Sequence, residues 1–264
     1  MTDTLAPTGL VPDGYRTVAE QLQTNAAARG DAPALISADD GRALSWEALY
    51  HLTIRVGHLM RAMGIGANDR IAVLGENSLE NLILYYGIQA YGATYCTINV
   101  EVNRHHLLEM LQRLQPKAVF WQEDLDRDAL GVGGPGTWIH YGAFDGDGDG
   151  VFAMLDSMPD HSAIGPVNDL EDRSVISFTS GTSAQPKGVL HCFSNYYAIA
   201  QRQRERWSIT ADDRILEFRS FSWASAHMLS LNPALLTGAT LLFAKRFSRS
   251  RFLGWIKAFQ PSII

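Results

Sequence analysis

The chain has 264 residues, 46% hydrophobic and 19% charged, with 6 Trp, 9 Tyr and 11 Phe, ample material for one large or two small packed domains. A net charge of −6 and an isoelectric point near 5.7 argue against a nucleic-acid surface as its main business. Two cysteines, Cys96 and Cys192, cannot make a disulfide framework; they read as buried thiols of a cytoplasmic protein, and no apolar run is long enough to span a bilayer.

In chain order, residues 1–15 lack the basic and apolar pattern of a signal peptide. Residues 17–29 have helical periodicity closed by Gly30. Residues 33–37 read as a short strand, returned through the Asp39-Asp40-Gly41 turn by Ala43 and Leu44. Ser45 is placed to cap a long helix with Leu49, Leu52, Val56, Leu59 and Met63 on its apolar face. Strands at 70–74, 94–98 and 118–121 then alternate with helices at 78–91 and 103–114. That alternation predicts an α/β fold of doubly wound, mostly parallel sheets with flanking helices.

The pattern weakens over residues 123–166, and a boundary is expected near Pro166, giving one α/β unit over 1–166 and the start of a second over 167–264. Two motifs there invite functional readings. Gly131-Val132-Gly133-Gly134-Pro135-Gly136 does not open a helix directly after a strand, as a dinucleotide fingerprint must, so it is read as a loop. Asp145-Gly146-Asp147-Gly148-Asp149-Gly150 has the D-x-D-x-D-G order of a calcium loop, with Asp156 at the twelfth position. No entering helix precedes it and Asp reaches less far than Glu, so it is read as a solvated acidic turn. No His, Cys, Asp and Glu cluster has metal-ligand spacing.

After residue 166, a strand over 213–218, an apolar helix to Leu236 ended by Gly238, a strand over 239–244 and a helix over 250–259 follow. Ser194 is expected to cap a helix reaching Trp207, with Arg202, Arg204 and Arg206 on its solvated face.

The segment with most chemistry is Phe178-Thr179-Ser180-Gly181-Thr182-Ser183-Ala184-Gln185-Pro186-Lys187-Gly188-Val189. It follows the apolar run Val175-Ile176-Ser177-Phe178, and loops leaving such strands are where open α/β sheets bind ligands. Short hydroxyl donors, close backbone amides and a nearby cation are what a polyphosphate needs. A Walker A loop would carry its lysine at a helix start. Here Pro186 pushes Gln185 towards extended geometry, which places Lys187 on a hairpin-like turn.

Thr179 to Gly188 resembles the phosphate-loop signature of the adenylate-forming superfamily, which includes acyl-CoA synthetases, peptide-synthetase adenylation domains and firefly luciferase. Ala184 stands where a glycine is usual. Val189-Leu190-His191 downstream, Gly64 through Val73 and Asn77 through Asn99 upstream extend the resemblance over nearly the whole chain. It implies a chain equivalent to the N-terminal half of a longer enzyme, part of its large N-terminal domain, inactive alone and carrying an exposed sheet edge through which it could self-associate.

The activity so implied is ATP-dependent activation of a carboxylic acid to an acyl-adenylate, then thioester formation with coenzyme A. Thr179, Ser180, Gly181, Thr182, Ser183, Lys187 and Gly188 would bind the nucleotide phosphates with Mg2+, Lys187 acting catalytically. Trp223 and His227 fall where the family places its acid pocket, although Ser222-Trp223 and a displaced His227 depart from the usual Pro-x-x-His-x-x-Gly pattern. Two alternatives stay open: amino-acid adenylation for a carrier protein, and a non-catalytic nucleotide-binding or interaction protein.

Overall fold

The computed structural model describes residues 13–146, 149–162, 164–179 and 186–264. Local sequence signals set most element starts. Helix α1 (Val18–Arg29) opens on a capping box, in which the Thr17 hydroxyl accepts the Glu20 amide and the Glu20 carboxylate accepts the Thr17 amide. Strands β1 (Pro33–Ser37) and β2 (Ala43–Ser45) form the expected antiparallel hairpin. Helix α2 (Trp46–Ala62) is capped by Ser45. Strand β3 (Arg70–Leu74) leads to helix α3 (Leu79–Tyr91), capped by Ser78 and ended by Gly92 at φ 97°. Strand β4 (Thr94–Thr97), helix α4 (Arg104–Leu114), capped by Asn103, and strand β5 (Ala118–Gln122) follow.

Between β5 and residue 166 lie helix α5 (Arg127–Leu130), strand β6 (Thr137–Tyr141) and helix α6 (Val151–Asp156). Strands β7 (Arg173–Phe178) and β8 (Gly188–Cys192) precede helix α7 (Phe193–Arg206) and strand β9 (Arg214–Glu217). The short helix α8 (Ala224–Ala226) runs into a π-turn at His227–Leu231, then helix α9 (Asn232–Thr237), strand β10 (Thr240–Phe243) and helix α10 (Phe252–Phe259). Ser194 does not cap α7. That helix starts one residue earlier, and the Ser194 hydroxyl donates to Glu171 instead.

The strands make two sheets, each mostly parallel. The first has the order β2-β1-β10-β9 and the second β6-β5-β3-β4-β7-β8. Only the β1–β2 and β7–β8 pairs are antiparallel. The chain changes sheets after β2 and again after β8. Residue 166 therefore falls inside the second sheet's run, between β6 and β7, and both sheets draw strands from either side of it. The stretch of weak pattern carries β6, an edge strand of that sheet, and the connection from it to β7.

Helix α3 is buried along its whole length, its polar Glu80, Asn81 and Gln89 included, so no face of it is solvated. One core cluster runs through it from Leu35 and Leu241 of the first sheet to Ile71 and Phe120 of the second. Helices α2 and α3 approach so closely that a Cβ on Gly87 would lie 2.5 Å from Val56 Cβ. Among the described residues, no helix is long and apolar enough to cross a membrane.

Candidate active site

The parallel order places the strand ends of β3, β4, β5, β6 and β7 along one edge of the second sheet. Strand β7 leaves that edge and turns back as β8, with Phe178 opposite Gly188. One more pair extends the ladder. The Thr179 amide donates to Lys187 O at 3.0 Å, and the Lys187 amide donates to Thr179 Oγ1 at 3.2 Å. Lys187 thus sits on a hairpin, as the flanking Pro186 and Gly188 lead one to expect. Its side chain is exposed and makes no ion pair among the described residues. Ser180, Gly181, Thr182 and Ser183 lie outside the described residues.

The segment leaving β9 comes to the same edge. The Phe221 amide donates to Asn77 Oδ1 at 2.7 Å, and Phe221 O accepts from Thr97 Oγ1 at 3.2 Å. Thr97 closes β4, which pairs with β7 at Cys96 and Ile176, so Phe221 is held beside the strand that carries Thr179. Two residues on, Trp223 closes a turn onto Ser220 O at 3.0 Å and is 37% exposed. The segment that carries Trp223 is therefore tied through Thr97 to the end of β4, the strand next to β7.

Beneath that turn, Glu217 is 1% exposed. Its carboxylate accepts from the Arg219 amide at 2.7 Å, Arg219 Nε at 2.8 Å and Ser230 Oγ at 2.7 Å, with Arg219 Nη2 closing the ion pair. A buried carboxylate needs that full set of donors. His227 is 0% exposed and faces inward, with both ring nitrogens engaged by Tyr196 and Phe221. Burial lowers its pKa from 6.5 to about 4, so the ring is neutral. Burial also lowers the pKa of His191, on β8, and pushes the Tyr196 phenol up.

Asn77, Thr97, Arg219 and Tyr196 were not singled out from the sequence. The available signal was polar residues inside apolar stretches, which does not say what they touch.

Glu123, His140 and Asp149, far apart in sequence, do come together. Glu123 meets His140 Nδ1 at 3.3 Å and Asp149 meets Nε2 at 3.3 Å. One ligand atom from each of the three lies within 4.8 Å of the others. In the acidic turn, Asp145 pairs with Arg42 at 3.0 Å and Asp156 with Arg55 at 3.4 Å. The first and twelfth positions of the calcium-like order are thus directed at different arginines; Asp147 and Gly148 lie outside the described residues.

The fold is a two-sheet α/β architecture with the Thr179–Lys187 hairpin at its strand ends, and comparison gives the family. The chain belongs to the AMP-binding enzyme family, whose model matches residues 22–264. It is 25% identical to long-chain fatty acid transport protein 1 of Bos taurus, over 83% of this chain and 35% of that protein. It is 28% identical to indoleacetate–CoA ligase of Aromatoleum aromaticum, over 78% of this chain and 41% of that one. The crystal structure of the anthranilate CoA ligase AuaEII with anthranoyl-AMP superimposes with a TM-score of 0.83 at 19% identity, covering 94% of this chain and 49% of that one. The fold is that of the N-terminal domain of adenylate-forming enzymes. The chain spans between about a third and a half of the length of these proteins.

Proposed function

We propose that this chain supplies the phosphate loop and part of the acid pocket of an enzyme that converts a carboxylic acid to an acyl-adenylate and then to a coenzyme A thioester. The observation that carries the reading is the Thr179–Lys187 pair, which closes a hairpin at the end of β7. Family membership supports the chemistry.

In the first step a carboxylate oxygen attacks the α-phosphorus of ATP. The bond to the β-phosphate breaks, and pyrophosphate leaves. In the second step the thiol of coenzyme A displaces AMP. Charge builds on the departing phosphates, so fixed donors lower the barrier more than any covalent group could. Thr179, Ser180, Gly181, Thr182, Ser183 and Gly188 would present hydroxyls and amides to the β- and γ-phosphates. Lys187, an exposed cation without an ion-pair partner among the described residues, suits that anionic ligand. Magnesium would arrive with the nucleotide as part of the substrate. Trp223 would offer the acid an apolar wall, and His227 would hold the Phe221 backbone two residues before it.

The test is ATP–pyrophosphate exchange by the intact protein, with hexadecanoate, indoleacetate and anthranilate as probe acids. Exchange followed by AMP release on adding coenzyme A is the expected result. Exchange with amino acids alone would move the acceptor to a carrier protein. ATP binding with no exchange for any acid would sink the ligase reading.

A further inference from the structure

We infer that Tyr196 and His227 are positioning residues, a buried relay that ties the lysine hairpin to the Trp223 turn through the backbone of Phe221. The inference rests on the adenylation reading above for its functional meaning. The geometry fixes the relay's polarity. His227 Nε2 lies 2.6 Å from Phe221 O. A carbonyl only accepts, so Nε2 carries the proton and Nδ1 presents its lone pair. The Tyr196 hydroxyl, 2.7 Å from Nδ1, is then the donor there. Proton order runs one way, from Tyr196 to His227 to Phe221, and one imidazole tautomer satisfies it.

Three further features make this a built device. The Phe221 peptide is gripped on both sides, since Asn77 takes its amide and Thr97 shares its carbonyl. The imidazole is walled by Tyr85 and Tyr95, with ring centroids at 4.6 and 5.9 Å. His227 also opens the π-turn, where the Asn232 amide donates to His227 O. Such single turns are retained where a helix must re-aim a side chain.

Tyr196 stands one turn into α7, which starts directly after β8, the returning strand of the lysine hairpin. On this inference, a shift of that hairpin would be carried by Tyr196 to the Phe221 backbone, two residues before Trp223. The relay touches neither nucleotide nor acid, so its effect is on where the indole stands.

The experiment compares Tyr196→Phe, His227→Leu and His227→Gln with the wild type. In the intact protein with the probe acids, Tyr196→Phe and His227→Leu should raise the acid KM about tenfold with the ATP KM unchanged. His227→Gln can still donate to Phe221 O and accept from Tyr196, and should stay within about threefold of wild type. Equal changes in both KM values, or a failure of Gln to rescue, would assign the pair to packing alone and overturn the relay.

A second readout uses this chain directly. The Trp223 indole 15N–1H resonance, assigned with Trp223→Phe, should move in Tyr196→Phe while the melting transition stays cooperative. An unmoved resonance overturns the relay even if no acid is turned over. Absence of turnover in the wild type would instead defeat the adenylation reading, so the two failures are distinct.

Discussion

The side-chain oxygen of Asn77 accepts the amide of Phe221 at 2.7 Å, joining the loop after β3 in the second sheet to the segment after β9 in the first. The Asn77 nitrogen donates to Arg219 O at 2.8 Å and Ala244 O at 3.0 Å, so one buried carboxamide holds three strand ends together. Asn77→Ala forfeits all three bonds and should cost about 2–4 kcal/mol in urea denaturation. Asn77→Asp keeps the acceptor but turns a carboxylate towards two carbonyl oxygens. It should be at least as destabilising at pH 7 and recover partly in acid, where a protonated carboxyl can donate. A milder Asp variant at pH 7 would show that the donations matter little.

Gly87→Ala sets two effects against each other. Helix propensity favours alanine by about 1 kcal/mol. The new methyl would lie 2.5 Å from Val56 Cβ, the stem of a packed side chain that cannot swing away. Overpacking of this kind costs about 1–3 kcal/mol, so a net loss of stability is expected. Val56→Ala combined with Gly87→Ala should recover part of it. Chemical denaturation of the two single variants and the double variant measures the coupling.

Acid should destabilise the fold through His227. Burial holds its pKa near 4, against 6.5 for a free imidazole. Above pH 6.5 both folded and unfolded chains carry it neutral. Between 6.5 and 4 the unfolded chain takes up a proton that the folded chain refuses, so stability falls as pH falls, by about 3 kcal/mol in all. Below about 4 the loss levels off. Tyr85, Tyr95 and Tyr196 pack on the ring, and His191 lies close enough to add to the downward shift. Wild type and His227→Gln, denatured at pH 7.5 and 4.5, should differ in slope. Parallel slopes would place the titrating group elsewhere.

Lys187→Ala removes a charge from an exposed hairpin position while leaving both backbone bonds to Thr179. Folding should be nearly untouched. Pyrophosphate exchange by the intact protein should fall about 10²-fold or more, the range for losing one fixed donor to developing charge. Equal losses of melting temperature and exchange would make the lysine structural.

The hairpin at Lys187 was legible because Pro186 and Gly188 act locally, and Ser45 announced its helix for the same reason. Sheet membership was not legible. Strand–helix alternation says that neighbours run parallel, but not that β1 would pair with β10 and leave β3 to the other sheet. Helices α5 and α6 are too short for periodicity to register. His227 was placed in the acid pocket by the resemblance, and contacts with Tyr196 and Phe221, distant in sequence or carried by backbone, decide its orientation.

Thr240 Oγ1, at the start of β10, donates to Pro33 O, 207 residues earlier in the chain. On a ribosome, the hairpin of β1 and β2 precedes the other strands and waits for that partner until β3 through β9 have all been made. During elongation the strand Pro33–Ser37 has one edge satisfied by β2 and the other bare. Such delayed pairing slows folding and leaves a sticky edge in the nascent chain. The second sheet can assemble while translation continues, whereas the first closes only once β10 has been made.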